Sequence, residues 1–152
     1  MHKSCLTLKN YIVNTINFSI NEKFQNSEGK PVKLTPEFQR KIGKIDDNNV
    51  LVSLRFSIKN ENKDMPFDIY ADIRGVFELE NWESPELLPL ITSNAVAILF
   101  PYLRSLITMV TANANISPYV LPVMNIGALF EQNNNQENTN ENNDEEQTEG
   151  DE

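Results

Sequence analysis

Between Ala95 and Phe130 the chain runs for thirty-six residues with Arg104 as its only charge. The block opens as Ala95-Val96-Ala97-Ile98-Leu99-Phe100-Pro101-Tyr102-Leu103-Arg104 and closes as Asn125-Ile126-Gly127-Ala128-Leu129-Phe130. In a chain whose formal charge is −9, so long an uncharged stretch must be enclosed by the fold or offered as a surface. Ala95–Ala112 is the segment whose length invites a membrane reading, but Pro101, Arg104 and several hydroxyls interrupt it. A spanning helix needs about 20 mostly apolar residues, and a central arginine costs at least ~2.5 kcal/mol. The segment therefore reads as a buried helix, with no direct membrane insertion.

Its polar residues Arg104, Ser105, Thr108 and Thr111 fall on one narrow stripe of that helix, and Leu99, Leu103, Leu106, Ile107, Met109 and Val110 cover most of the rest. A helix lying on one sheet needs only a single apolar stripe. The surplus here predicts two partners, the chain's own sheet and a second copy of the chain.

Charge divides the chain in two. All nine charged residues beyond Phe130 are acids, and the remaining thirteen acids are balanced by thirteen Lys and Arg. Residues 1–131 thus read as one nearly neutral domain. Residues 132–152, rich in Asn, Gln and acid, read as a disordered tail, since their composition cannot offset the entropy of ordering. A solvating brush is the first reading of that tail, and an acidic peptide that docks a basic partner is the second. The absence of a basic stripe argues against nucleic acid. Cys5 stands alone and the first residues contain no apolar signal region, which together suit the cytoplasm.

Three runs alternate with a period of two, the signature of strands with one face on a core. Ile12, Ile16, Phe18 and Ile20 share one parity in the first, and Val50, Val52, Leu54, Phe56 and Ile58 in the second. Phe67, Ile69, Ala71, Ile73, Phe77 and Leu79 do so in the third, where Gly75 suggests a bulge or bend. Asn60–Asp64 reads as a hairpin turn, and a short edge strand is expected near Val32–Phe38. Ser84-Pro85-Glu86 reads as a helix start, with the main helix over Ala95–Ala112 and a short helix at Asn125–Phe130 capped by Asn125.

Catalytic constellations are missing. His2 is the only histidine, Cys5 has no base beside it, and there is neither a Gly-rich phosphate loop nor a metal-spaced cluster. The pairs Asp68/Asp72 and Glu78/Glu80 occupy the polar parity of one strand and read as a solvated sheet face. No enzyme activity, cofactor or metal is expected. Trp82, Tyr119, Phe38 and Met124 lie in or beside connections flanking the helices, where an apolar groove for an extended peptide can form.

Two motifs carry a family resemblance. Ala97-Ile98-Leu99-Phe100-Pro101-Tyr102-Leu103-Arg104 resembles the first-helix signature of the protein-export chaperone SecB, and Asn125-Ile126-Gly127-Ala128-Leu129-Phe130 its second-helix start. The spacing between the two blocks agrees, and the resemblance extends over most of residues 10–130.

It implies an α+β fold, a four-stranded antiparallel sheet with two helices on one side, assembled as a homotetramer (a dimer of dimers). It also implies an ATP-independent holdase for unfolded preproteins or other non-native chains, handed to the SecA ATPase. The client groove would correspond to Val32, Leu34, Phe38, Trp82, Tyr119, Leu121, Met124, Leu129 and Phe130. The oligomer interface would draw on Leu99, Tyr102, Leu103, Leu106, Ile107 and Val110, and the SecA-facing sheet surface on Thr15, Ser19, Asp68, Tyr70 and Asp72. Thr15, Ser19 and Tyr70 stand where the family has acids, Gly127 where it has aspartate, and Pro122 one place early. These departures leave two alternatives open: a dedicated chaperone for one partner such as an antitoxin, or an oligomeric scaffold without clients.

Overall fold

The structure, a computed structural model, describes residues 6–24, 34–59, 66–80, 88–122 and 124–130. Four strands, β1 (Leu6–Ile20), β2 (Glu37–Lys44), β3 (Asn49–Ile58) and β4 (Phe67–Leu79), form one antiparallel sheet in the order β1-β4-β3-β2. Helix α1 (Leu88–Asn113) packs across β4, β3 and β1, and a short helix α2 (126–130) lies beside it.

The central strands follow their alternation. Every inward residue of β3 and β4, from Val50 to Ile58 and from Phe67 to Leu79, is buried beneath α1 or its neighbours. In register, Val50 faces Phe77, Leu54 faces Ile73 and Phe56 faces Ala71, so the core builds up row by row. Asp46 closes the β2–β3 turn, its carboxylate accepting from the backbone N–H groups of Asn48 and Asn49 at 2.8 Å. Those donors, led by the Asn48 N–H, hold the Asp46 carboxyl below the ordinary carboxylate range.

The outer strands depart from expectation. β1 slips register between Leu8 and Asn10 and again between Val13 and Thr15. Each slip inserts an extra residue and reverses which side chains face the core. Ile12 therefore pairs opposite Arg74 on the helix-free face, 52% exposed, while Tyr11, Val13, Ile16 and Phe18 face the helix side. The edge strand is Glu37–Lys44 rather than Val32–Phe38; only Glu37 and Phe38 of the expected strand fall within it. The turn at Asn60–Asp64 and the helix start at Ser84–Glu86 lie outside the described residues, as does the tail from 132.

Gly75 sits in regular ladder between Tyr11 and Val52, not in a bulge. Its role is close approach: a Cβ there would meet Phe77 Cε2 at 2.7 Å, Leu99 Cδ2 at 2.9 Å and Leu8 Cδ1 at 3.2 Å. Gly127 works similarly in α2, where a Cβ would stand 3.2 Å from both Cβ and the carbonyl oxygen of Ser93. α2 thus seats directly on α1, and an aspartate at 127 would press its carboxylate toward that carbonyl. Asn125 caps α2 as expected, its side-chain oxygen accepting from the Ala128 N–H at 3.1 Å.

α1 begins at least seven residues before Ala95 and runs unbroken through Pro101, whose ring is on the exposed side. By length and composition Ile91–Asn113 is apolar enough to cross a membrane, but one flank of it is the floor of this core. Ala95, Val96, Leu99, Leu103 and Ile107 are fully enclosed there.

Candidate functional site: a groove along the first helix

Helix α1 ends in a reversal that creates the site. The Ala114 N–H donates to Val110 O and the Asn115 N–H to Ala112 O. Asn115 then adopts a left-handed conformation (φ 60°), which asparagine tolerates better than most residues at a helix end. The chain turns back, and the connection, described over 116–122 and 124–125, runs along α1 in the opposite sense.

What holds it there is the polar stripe. Arg104 Nε donates to Leu121 O at 2.9 Å. Thr108 Oγ1 lies 2.9 Å from Arg104 O and 3.3 Å from Tyr119 O, two carbonyls that can share its single proton. The Tyr119 N–H donates to Thr111 Oγ1 at 2.8 Å, and that hydroxyl in turn reaches Ile107 O at 2.9 Å. Buried backbone groups of an irregular connection need such partners, because water is not there to serve them. The stripe that hydropathy alone would turn to solvent is the clamp that fastens this strap.

Between strap and helix lies a groove of about 690 Å3, lined by Phe100, Pro101, Arg104, Ser105, Thr108, Met109, Ala112, Val120 and Met124. Met109 and Val120 are exposed apolar walls, at 54% and 49%. Among the described residues Arg104 is the only ionisable one in the lining, and its Nε is already committed to Leu121. Such a cleft can take apolar side chains from an extended segment without demanding any one sequence. Among the described residues no group of three or more His, Cys, Asp or Glu is placed to hold a metal.

The residues expected to line a client groove divide. Met124 is in the cleft. Leu121 and Phe130 are core residues, Leu121 completely so, and Phe130 carries Arg40 over its ring at 5.0 Å. Leu34 and Phe38 are half-buried, Phe38 against Phe56 and Phe100. Tyr119 stands edge-on to Phe67 at 6.2 Å, and burial raises its phenol pKa above the ordinary value. Leu129 is exposed and not among the residues lining the cleft, and Val32 and Trp82 lie outside the described residues. Pro101, Ser105, Met109 and Val120 went unassigned in the sequence because each belongs to a wall formed only once the strap folds back.

The helix face divides in the same way. Leu99, Leu103 and Ile107 are wholly enclosed within the protomer and present nothing to another chain. Tyr102 is 41% exposed and packs on Tyr11 at 4.4 Å between ring centroids, while Leu106 and Val110 are half-buried. On the opposite, helix-free face stand Thr15, Ser19, Asp68 and Tyr70. Asp72 shares that face but is 3% exposed, with Arg74 Nη2 at 3.1 Å and Arg55 Nε at 3.6 Å.

A four-stranded antiparallel sheet with two helices on one side is the fold of a SecB-like chaperone. The sequence profile described as preprotein translocase subunit SecB matches residues 7–137, and the chain belongs to the SecB family. An uncharacterised protein of Methanocaldococcus jannaschii is 31% identical over 131 residues, covering 84% of each chain. Protein-export protein SecB of Saccharophagus degradans is 26% identical over 69% of this chain, which spans 63% of that protein. In structure the chain resembles a SecB-like chaperone of Mycobacterium tuberculosis, solved with a ChAD peptide from an antitoxin. The TM-score is 0.59 at 13% identity, over 78% of this chain and 90% of the other.

Proposed function

We propose that this protein is an ATP-independent holdase, binding extended apolar segments of unfolded preproteins or other non-native chains and keeping them competent for export. The observation that carries the reading is the cleft along α1, whose open walls are apolar on both the helix and the strap. Burial drives such binding at about 25 cal/mol per Å2 removed from water, with selectivity for apolar content over sequence. No catalytic step is assigned to it.

The working form is a homotetramer, built on the apolar residues left open on the helix-bearing side, namely Tyr11, Val13 and Ile16 of β1 together with Tyr102. Exposed β1 is also a sheet edge, the kind of surface a second chain covers.

The test is aggregation of a refolding protein, followed by light scattering at stoichiometric chaperone and without nucleotide. Suppression is expected, and its absence would end the proposal. Val120→Asp should leave the melting midpoint where it is, because the side chain is half in water. It should weaken client binding roughly tenfold, the equivalent of one lost valine burial of about 1.5 kcal/mol.

A specific observation favours a second reading, a dedicated client such as an antitoxin segment in place of handover to SecA. Of the two acids that could replace the family's missing sheet-face carboxylates, Asp68 and Asp72, Asp72 is sealed between Arg55 and Arg74. Titrating the protein with SecA from its own source organism separates the two, because handover requires a complex and the dedicated role does not.

A further inference from the structure

The helix-free face of the sheet carries a basic cluster that the cleft does not use. Register sets Lys41, Ser53 and Arg74 in one row across β2, β3 and β4, with Gly43, Leu51 and Val76 in the next. Lys41, Gly43, Leu51, Ser53 and Arg74 enclose a depression of about 120 Å3. Arg55 stands in the adjoining row, opposite Asp72. Three cations thus share this part of the face with one carboxylate, which pairs with Arg55 and Arg74 and is withdrawn from solvent. The buried Nε atoms of Arg55 and Arg74 have no hydrogen-bond acceptor among the described residues.

The chain delivers its own complement to this place. Phe130, the last described residue, lies under Arg40 on β2, the edge strand beside the cluster. Arg40 and Lys41 are neighbours pointing to opposite faces, so the described chain stops one strand edge away from the basic side. Residues 131–152 carry nine acids and no Lys or Arg. Ten extended residues reach about 33 Å, whereas the two strand spacings from β2 to β4 take only about 10 Å. The acids at Asp144, Glu145 and Glu146 can round the edge with chain to spare.

We propose that the acidic segment 131–152 docks on the outer face of its own sheet, its carboxylates on Lys41, Arg55 and Arg74. The contact is intramolecular, so effective concentration and not contact area sustains it. It is weak and salt-sensitive, as pairs at a protein surface are. While seated, the segment competes with any acidic ligand for that face.

The test joins carboxylates to amines in the full chain with a zero-length carbodiimide and maps the cross-links by mass spectrometry. Lys41 is expected to couple to acids within 131–152, with the yield falling several-fold at high salt. A mixture of isotopically light and heavy protein should give same-isotope cross-links only. A second full-length form, with all nine tail acids changed to Asn or Gln, leaves the folded body untouched. Its amide spectrum should differ from the parent at Lys41, Ser53 and Arg74 and hardly elsewhere in the sheet. Cross-links spread evenly over Lys9, Lys23, Lys44 and Lys59, mixed-isotope pairs, or an unchanged sheet spectrum would each overturn the proposal.

Discussion

Gly75→Val is expected to destabilise the domain by at least ~3 kcal/mol, the upper range for overpacking a filled core. The first added carbon already stands 2.7 Å from the Phe77 ring and 2.9 Å from Leu99. Both of those side chains are completely buried, so neither has an open rotamer to move into. Two further methyl carbons have to displace α1 from β4, which opens the seam between helix and sheet. Gly43→Val is the internal control, because a Cβ at that edge position meets nothing within 4 Å. Urea unfolding followed by circular dichroism should show a large fall in midpoint for the first variant and essentially none for the second. Equal midpoints would mean that Gly75 does not set the helix–sheet distance.

That glycine also marks how far the sequence could be read. Alternation in β3 and β4 placed their inward residues correctly, since a central strand buried on one face must alternate strictly. β1 could not be read the same way. Its two register slips are tertiary accommodations that reverse parity at Ile12 without altering composition. β2 alternates too, but its inward positions are Phe38, Arg40 and Ile42, and an arginine lying over Phe130 gives no apolar signal.

The site was legible as a region and not as a set of walls. Uncharged sequence from Ala95 to Phe130 identified its elements, and Asn125 announced the second helix. Leu121 was misplaced because hydropathy ranks it as groove or core alike. The deciding fact is the direction in which the strap runs, and hydrogen bonds from Arg104, Thr108 and Thr111 to backbone groups set that direction. Such bonds have no period. A lone arginine with threonines four and seven positions later, beside a Pro- and Asn-rich return, is the sequence signal that stood for them.

Arg104→Met tests that clamp where fold and function meet. Methionine keeps the length, the apolar stem and the helix propensity, and removes the Nε donor to Leu121 O. A hydrogen bond from a charged donor contributes about 1.5–3 kcal/mol, so the population of the strap in an open state should rise roughly tenfold to a hundredfold. Amide exchange at Tyr119–Leu121 should accelerate by that factor, while amides of β3 and β4, which the strap does not touch through Arg104, keep their protection. Val120 and Met124 form the strap side of the cleft, and a wall that opens no longer buries a client. Client binding should therefore fall together with strap protection. Arg104→Lys restores the charge but not the geometry of Nε, so it should rescue neither. If exchange and client binding both stay at the parent level, something other than Arg104 holds the strap, and the only charge in the long apolar block has another purpose.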